Sequence, residues 1–295
     1  MGLSADRGPS EEEVLISVLE LGTVDYPRGL RLQQRLVGLR KEGRIGDVLV
    51  LLEHPPVITR GRNAQGKNIL ASPESLVERG VEVFECDRGG DVTFHGPGQL
   101  VGYPIFDLRG LQSSGGKRQT MGAIEYVRAL EEVLIRTCAD FGIATGRICG
   151  LTGVWTTSDQ AGALGSGPKP AEAKIAALGV HISRAVTSHG FALNVDTDLS
   201  YFDLIVPCGI TSKPVTSMAK ELRRKLSIEA VAQSVSRNFG FVFQAQMLWL
   251  ESIDALTGEP SDVPLKVPEE LRQLHQERGN EKGKENEKEE DTFCG

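Results

Sequence analysis

The apolar residues of this chain come in short runs that prolines and glycines keep interrupting, and no run approaches 18 residues. Such a chain has no segment that could cross a membrane as a helix, which takes about 20 apolar residues in succession. It has to build its core by bringing many short elements together. Val48–Leu52 is a continuous apolar run of strand length, expected to be buried on both faces. Val81–Glu85 reads as a second buried strand, and Val14–Leu19, Ile175–Ile182 and His189–Val195 as further ones. In the last, Phe191, Leu193 and Val195 fall on one face. Helical spacing recurs three times: Leu32, Leu36 and Leu39 within Gly29–Lys41; Ile124, Val127, Leu134, Cys138 and Phe141 within Met121–Phe141; and Ile228, Val231, Ala232, Val235 and Phe239 after a capping Ser227. Strands and helices intermix without strict alternation, which predicts one α+β (mixed α/β) domain over about residues 14–250.

Charge narrows the function classes. The 295 residues carry a net charge of -7, so nucleic acid is not expected as a partner. Residues 1–13 are polar and acidic, unlike a signal or transit peptide, and are expected to be disordered. Five cysteines, at 86, 138, 149, 208 and 294, are odd in number and form no CxxC, which suits a reduced cytoplasmic protein. The five histidines show no i, i+4 pair, so no metal is expected. Thr157–Ala173, rich in Gly, Ala, Ser and Pro, reads as a flexible loop. In the tail, 258–295, the stretch Glu277–Asp291 has 11 charged residues of 15 and none apolar, too little to offset ordering entropy.

Four segments carry candidate chemistry. Glu53-His54-Pro55-Pro56-Val57, leading to Arg60-Gly61-Arg62, follows a strand and gives it a rigid exit; a plain structural turn would look the same. Arg88-Gly89-Gly90-Asp91-Val92-Thr93-Phe94-His95 then Gly96-Pro97-Gly98-Gln99 is a loop whose N–H groups can cradle a carbonyl or an anion. It matches neither common nucleotide-binding glycine pattern. Lys174 opens a strongly apolar strand, where alternation would set it beside Ala176 and Leu178 and strip it of hydration. A lysine that snorkels to solvent is the plain reading of the same pattern. Cys208, between Pro207 and Gly209, can be a thiol displayed on a turn or a small buried hydrophobe. No GxSxG elbow is present, and a Cys-His pair with His95 or His189 as base stays open.

Taken together, EHPPVITRGR, RGGDVTFHGPGQLVGYPIFDL, TGVW, KIAALGVHIS, TSHGFALNV and DLSYFDLIVPCGI, in that order over about residues 14–226, resemble the lipoyl(octanoyl) transferases. The resemblance implies the fold of the biotin and lipoate protein ligases, a mixed sheet flanked by helices in a single catalytic domain. It implies Cys208 as the acyl-carrying cysteine and Lys174 as the lysine beside it. Its substrate-contacting stretches match Arg88, Gly89, Gly90, Asp91, Val92, Thr93, Phe94 and His95, then Ala177, Leu178 and Gly179, then Gly190, Phe191 and Ala192. The implied reaction belongs to lipoate biosynthesis. It moves octanoyl from octanoyl-acyl carrier protein, through a cysteine thioester, to a lysine of a lipoyl domain of the 2-oxoacid dehydrogenase type or of glycine cleavage H protein. No cofactor is implied, and a monomer is expected. The chain departs from the family pattern between Trp155 and Lys174, where the linker is longer. Two rivals remain. One is an ATP-dependent lipoate or biotin protein ligase, which would not need Cys208. The other is a non-catalytic protein that binds acyl carrier or lipoyl domains.

Overall fold

The computed structural model describes residues 14–111, 120–157, 172–251 and 253–257. The expectations for residues 1–13, most of the 157–173 loop and the 258–295 tail lie outside them. The first half runs β1 (Val14–Thr23), α1 (Tyr26–Lys41), β2 (Asp47–Glu53), β3 (Val57–Arg60), α2 (Pro73–Glu78), β4 (Glu82–Glu85), β5 (Val92–His95) and β6 (Gln99–Ile105). The second runs α3 (Ala123–Asp140), β7 (Thr145–Ile148), β8 (Leu151–Thr156), β9 (Lys174–Ser183), β10 (Val186–Asn194), α4 (Met218–Leu222), α5 (Ile228–Phe243) and β11 (Ala245–Trp249).

Eight strands form a mixed sheet in the order β11-β1-β2-β6-β10-β9-β8-β7. Only β1 pairs in parallel, with β11 and β2; the other neighbours are antiparallel. A smaller sheet, β4-β3-β5, sits beside it. The period of two along β2 explains why the main sheet is covered twice. Leu49 and Leu51 face a core closed by α3 and α5, with Leu130, Leu134, Val235 and Phe239. Val48, Val50 and Leu52 face a second core closed by Leu32, Leu36 and Leu39 of α1. Burying one leucine in this way stabilises by roughly 1.5–3 kcal/mol.

The caps follow from the sequence. The Asp25 side chain accepts the Arg28 N–H at 2.8 Å, and Pro27 occupies the first turn, so α1 begins three residues before the expected Gly29. Ser227 accepts the Ala230 N–H at 3.2 Å and starts α5, as its position predicted. Two expectations need correction. The buried stripe of α3 is Tyr126, Leu130, Val133, Leu134 and Cys138; Ile124 is 79% exposed. Two residues turn a helix by about 200°, so Ile124 points away from Tyr126. Val81 is buried, but β4 pairs only with β3 and is an edge strand with Val83 exposed.

Candidate active site

Pro207–Gly209 forms one tight 3-10 turn. Inside it Cys208 has φ 55 and ψ 21, in the left-handed region, which costs an L residue about 1–2 kcal/mol. The surroundings enforce it. Gly209 N–H donates to Val206 O at 3.1 Å and Ile210 N–H to Pro207 O at 3.0 Å. Val206 N–H donates to Asn68 O at 2.8 Å, and the Asn68 amide donates to Asp91 Oδ2 at 2.5 Å. Asp91 Oδ1 accepts the N–H groups of Gln65 and Val92 at 3.1 and 2.7 Å. A Cβ on Gly209 would stand 3.0 Å from Asp91 Oδ2, so this glycine lets the turn sit down on the loop. Strain held by its neighbours is a mark of functional turns. The thiol is half-buried.

Lys174 begins β9, and its backbone is tied on both sides: N–H to Pro214 O at 2.8 Å, and O from Thr216 N–H at 2.9 Å. The residue is 6% exposed. Its Nζ lies 4.7 Å from the centroid of the Trp155 ring. Among the described residues no hydrogen bond or ion pair engages that amine. Gly153 of β8 makes room for it: a Cβ there would be 3.1 Å from Lys174 Cε and 2.9 Å from Ala176 O. Gly153 N–H in turn donates to Glu131 Oε1 at 3.1 Å, and Arg128 and Arg147 hold the other oxygen of this fully buried carboxylate at 2.7 and 3.0 Å. Strict alternation fails at the start of β9. Ile175 and Ala176 both belong to the α3/α5 core, and Ala177 shares a cavity with Lys174.

Cys208 and Lys174 line the same cavity, about 260 Å³ in volume. Its floor is the α1 side of β6, β10 and β9, where Ala177 pairs with Ala192, Ala192 with Val101, and Gly179 with Gly190. The expected loop closes it from above. Arg88, Gly90, Asp91, Thr93 and His95 border the space, whereas Val92 and Phe94, one residue out of phase on β5, pack into a third core with Ile58 and Leu204. Gly89 acts through its backbone, donating to Val180 O at 3.0 Å. Leu178, Gly190 and Phe191 also border the cavity, but the Phe191 ring stacks on Phe239 in the core behind the sheet. Arg88 is fixed by Thr59: Nε reaches Oγ1 at 3.2 Å and Nη2 reaches the carbonyl at 2.7 Å.

His54, His95 and His189 are each held by side-chain hydrogen bonds. Gln99 Oε1 takes the His95 Nδ1 proton at 2.8 Å, because the Gln99 amide already donates to Phe94 O and Asn194 Oδ1. His95 Nε2 is therefore free to accept from the Thr59 hydroxyl at 3.4 Å. Burial pushes the His95 imidazole down to about 3 and that of His54 to about 4, so both are neutral. His189 Nε2 contacts Asp87 Oδ1 at 2.6 Å. Burial holds this imidazole below its usual value, with Asp87 pulling the other way. Neither His95 nor His189 is hydrogen-bonded to Cys208. The described residues contain no group of three His, Cys, Asp or Glu that could hold a metal. Tyr103, which borders the cavity, and Gln99, which holds His95, stood inside a quoted motif without a role, while Tyr26, at the cavity too, had no local signal.

The family of the lipoyl protein ligase A/B catalytic domain matches residues 25–240. An octanoyltransferase of Koribacter versatilis is 61% identical over 89% of this chain and 98% of its own length. Another, from Acidobacterium capsulatum, is 58% identical over 81% of this chain and 94% of its own. A bipartite lipoate protein ligase from Thermoplasma acidophilum superposes with a TM-score of 0.59 at 16% identity, covering 81% of this chain and 87% of that one. Lipoate-protein ligase A bound with ATP gives 0.57 at 14%, covering 81% and 89%. These two show the shared fold alone. The chain belongs to the octanoyltransferases of the lipoyl protein ligase A/B catalytic-domain family.

Proposed function

We propose that the protein moves an octanoyl group from octanoyl-acyl carrier protein to a lysine of lipoyl domains or of H protein, with Cys208 carrying the acyl group between them. The observation that supports this most is that a thiol on a strained turn and a buried lysine, with no hydrogen bond or ion pair on its amine among the described residues, border one small cavity. In the first half-reaction Cys208 Sγ bonds to the acyl carbon as the donor's C–S bond breaks. Lys174 takes the thiol proton and returns it to the departing thiol. In the second, the acceptor amine bonds to the acyl carbon, the Cys208 C–S bond breaks, and the amine proton passes through Lys174 to the sulfur. Thioester exchange is nearly balanced and amide formation is downhill, so no nucleotide is consumed.

The developing oxyanion needs a backbone donor, worth about 3 kcal/mol. Gly209 N–H is engaged by Val206 O, which leaves that of Cys208. Arg88, Gly90, Asp91, Thr93 and His95 shape the roof over the acyl group, and Ala177, Gly179, Gly190 and Ala192 its floor. The catalytic unit extends over residues 14–250 and works as a cytosolic monomer. Purified protein, octanoyl-acyl carrier protein and an apo lipoyl domain decide the matter. Octanoyl-lysine is expected to form without ATP and to be lost in Cys208→Ser. Formation only with ATP, surviving that substitution, would mean a ligase.

A further inference from the structure

The EHPP histidine and Tyr103 have no part in the relay above, yet both are almost wholly buried beside it, at 0% and 5% exposure. The sheet register says where Tyr103 stands relative to the sulfur. A small recess shared by Cys208 and Lys174 also touches Asn194, Gln99, Ala177 and Ala192. Asn194 pairs with Gln99, and two residues further along Ala192 pairs with Val101. Phe191 pairs with Gly102, so one more step sets Tyr103 across from Gly190. From Asn194 to Gly190 is four residues of strand, about 14 Å. Seven C–C bonds in zigzag, the length of an octanoyl group, span roughly 9 Å. The cysteine side chain and the thioester bond take up most of the remainder. Along that path the floor is Val101, Ala177, Ala192, Gly179 and Gly190; His95 is held by Gln99 at the sulfur end, and the rings of Tyr103 and Tyr26 line the same cavity.

The Tyr103 ring has no freedom to step aside. Its hydroxyl donates to His54 Nε2 at 2.7 Å, and His54 Nδ1–H donates to Val24 O at 2.6 Å. Tyr26 meets the His54 ring edge-on at 5.3 Å, and His189 stands perpendicular to Tyr103 at 6.4 Å.

We infer that Tyr103, locked by His54, is the end wall that sets acyl chain length. This rests on the acyl-transfer reading. The test is intact mass of the protein after incubation with hexanoyl, octanoyl, decanoyl and dodecanoyl thioesters of N-acetylcysteamine. The wild type is expected to take octanoyl well and dodecanoyl poorly. Tyr103→Ala should raise the dodecanoyl-to-octanoyl rate ratio by roughly tenfold, the worth of about two buried methylenes. Tyr103→Met, close in bulk but flexible, gives the same readout if the alanine variant fails to fold. Tyr103→Phe keeps the ring but loses the bond to His54, and should raise the same ratio by less than Tyr103→Ala does. Ala192→Val narrows the floor and should shift the profile toward hexanoyl. A wild-type profile in Tyr103→Ala or in Tyr103→Met overturns the inference. No adduct of any length on the wild type would instead remove the acyl-transfer reading beneath it.

Discussion

Lys174 is a buried amine whose partner is a ring. A cation over the face of an indole gains about 0.5–2 kcal/mol, more as water is excluded. Trp155 is itself 1% exposed, so the pair is well desolvated. If Lys174 serves the thiol, Lys174→Ala should slow alkylation of Cys208 by iodoacetamide at neutral pH by roughly tenfold. Trp155→Phe keeps a weaker face and should slow it by about threefold. Unchanged alkylation in both variants would detach the amine from the sulfur. Lys174 at the head of an apolar strand and Cys208 between Pro and Gly were legible as candidates, while the roles proposed for them came from the resemblance. The left-handed backbone of Cys208 was not, because Asn68 and Asp91, far off in sequence, impose it. Trp155 meets Lys174 only because β8 pairs with β9, and no local pattern announces that pairing.

The elements that carry Lys174 depend on one buried carboxylate. Glu131 on α3 joins Arg128 and Arg147 to the backbone of β8 at Gly153. The two arginines are partly exposed and can hydrate if released, so Glu131→Ala should cost about 2–3 kcal/mol and not the full penalty of a stranded charge. A urea midpoint equal to that of the wild type would show that the carboxylate holds nothing in place. Helix α3 itself was readable from its spacing, but its buried face was set by Tyr126, not by Ile124. Three of the 18 residues of this helix are Glu, one is Asp and two are Arg, so polar side chains blur which stripe is innermost. Strand β4 misled for the opposite reason: a Val/Glu alternation describes an edge strand as well as a half-buried one.

For the whole molecule, the intermixing of short strands with helices was enough to predict one α+β domain, and the resemblance supplied the mixed sheet flanked by helices. The order of the eight strands was not, since pairing joins β6 to β10 across most of a hundred residues. The cavity between the sheets brings two buried, neutral histidines, and this has a consequence for pH. His54 and His95 titrate at about 4 and about 3 in the fold, against 6.5 without it. Between those values the unfolded chain binds more protons than the folded one, so stability rises with pH and is lost as pH falls below 6.5. Each histidine contributes a slope approaching 1.4 kcal/mol per unit in that window. Urea midpoints at pH 7, 6 and 5 should decline in sequence, and a flat series would show the imidazoles to be solvated. In the proposed reaction the sulfur of Cys208 bears the acyl group. The most direct measurement is the intact mass of the protein after brief mixing with octanoyl-acyl carrier protein, with no acceptor present. One octanoyl group, removed by hydroxylamine, present in Cys149→Ser and absent from Cys208→Ser, is the predicted result. An adduct that persists in Cys208→Ser, or none in the wild type, would contradict it.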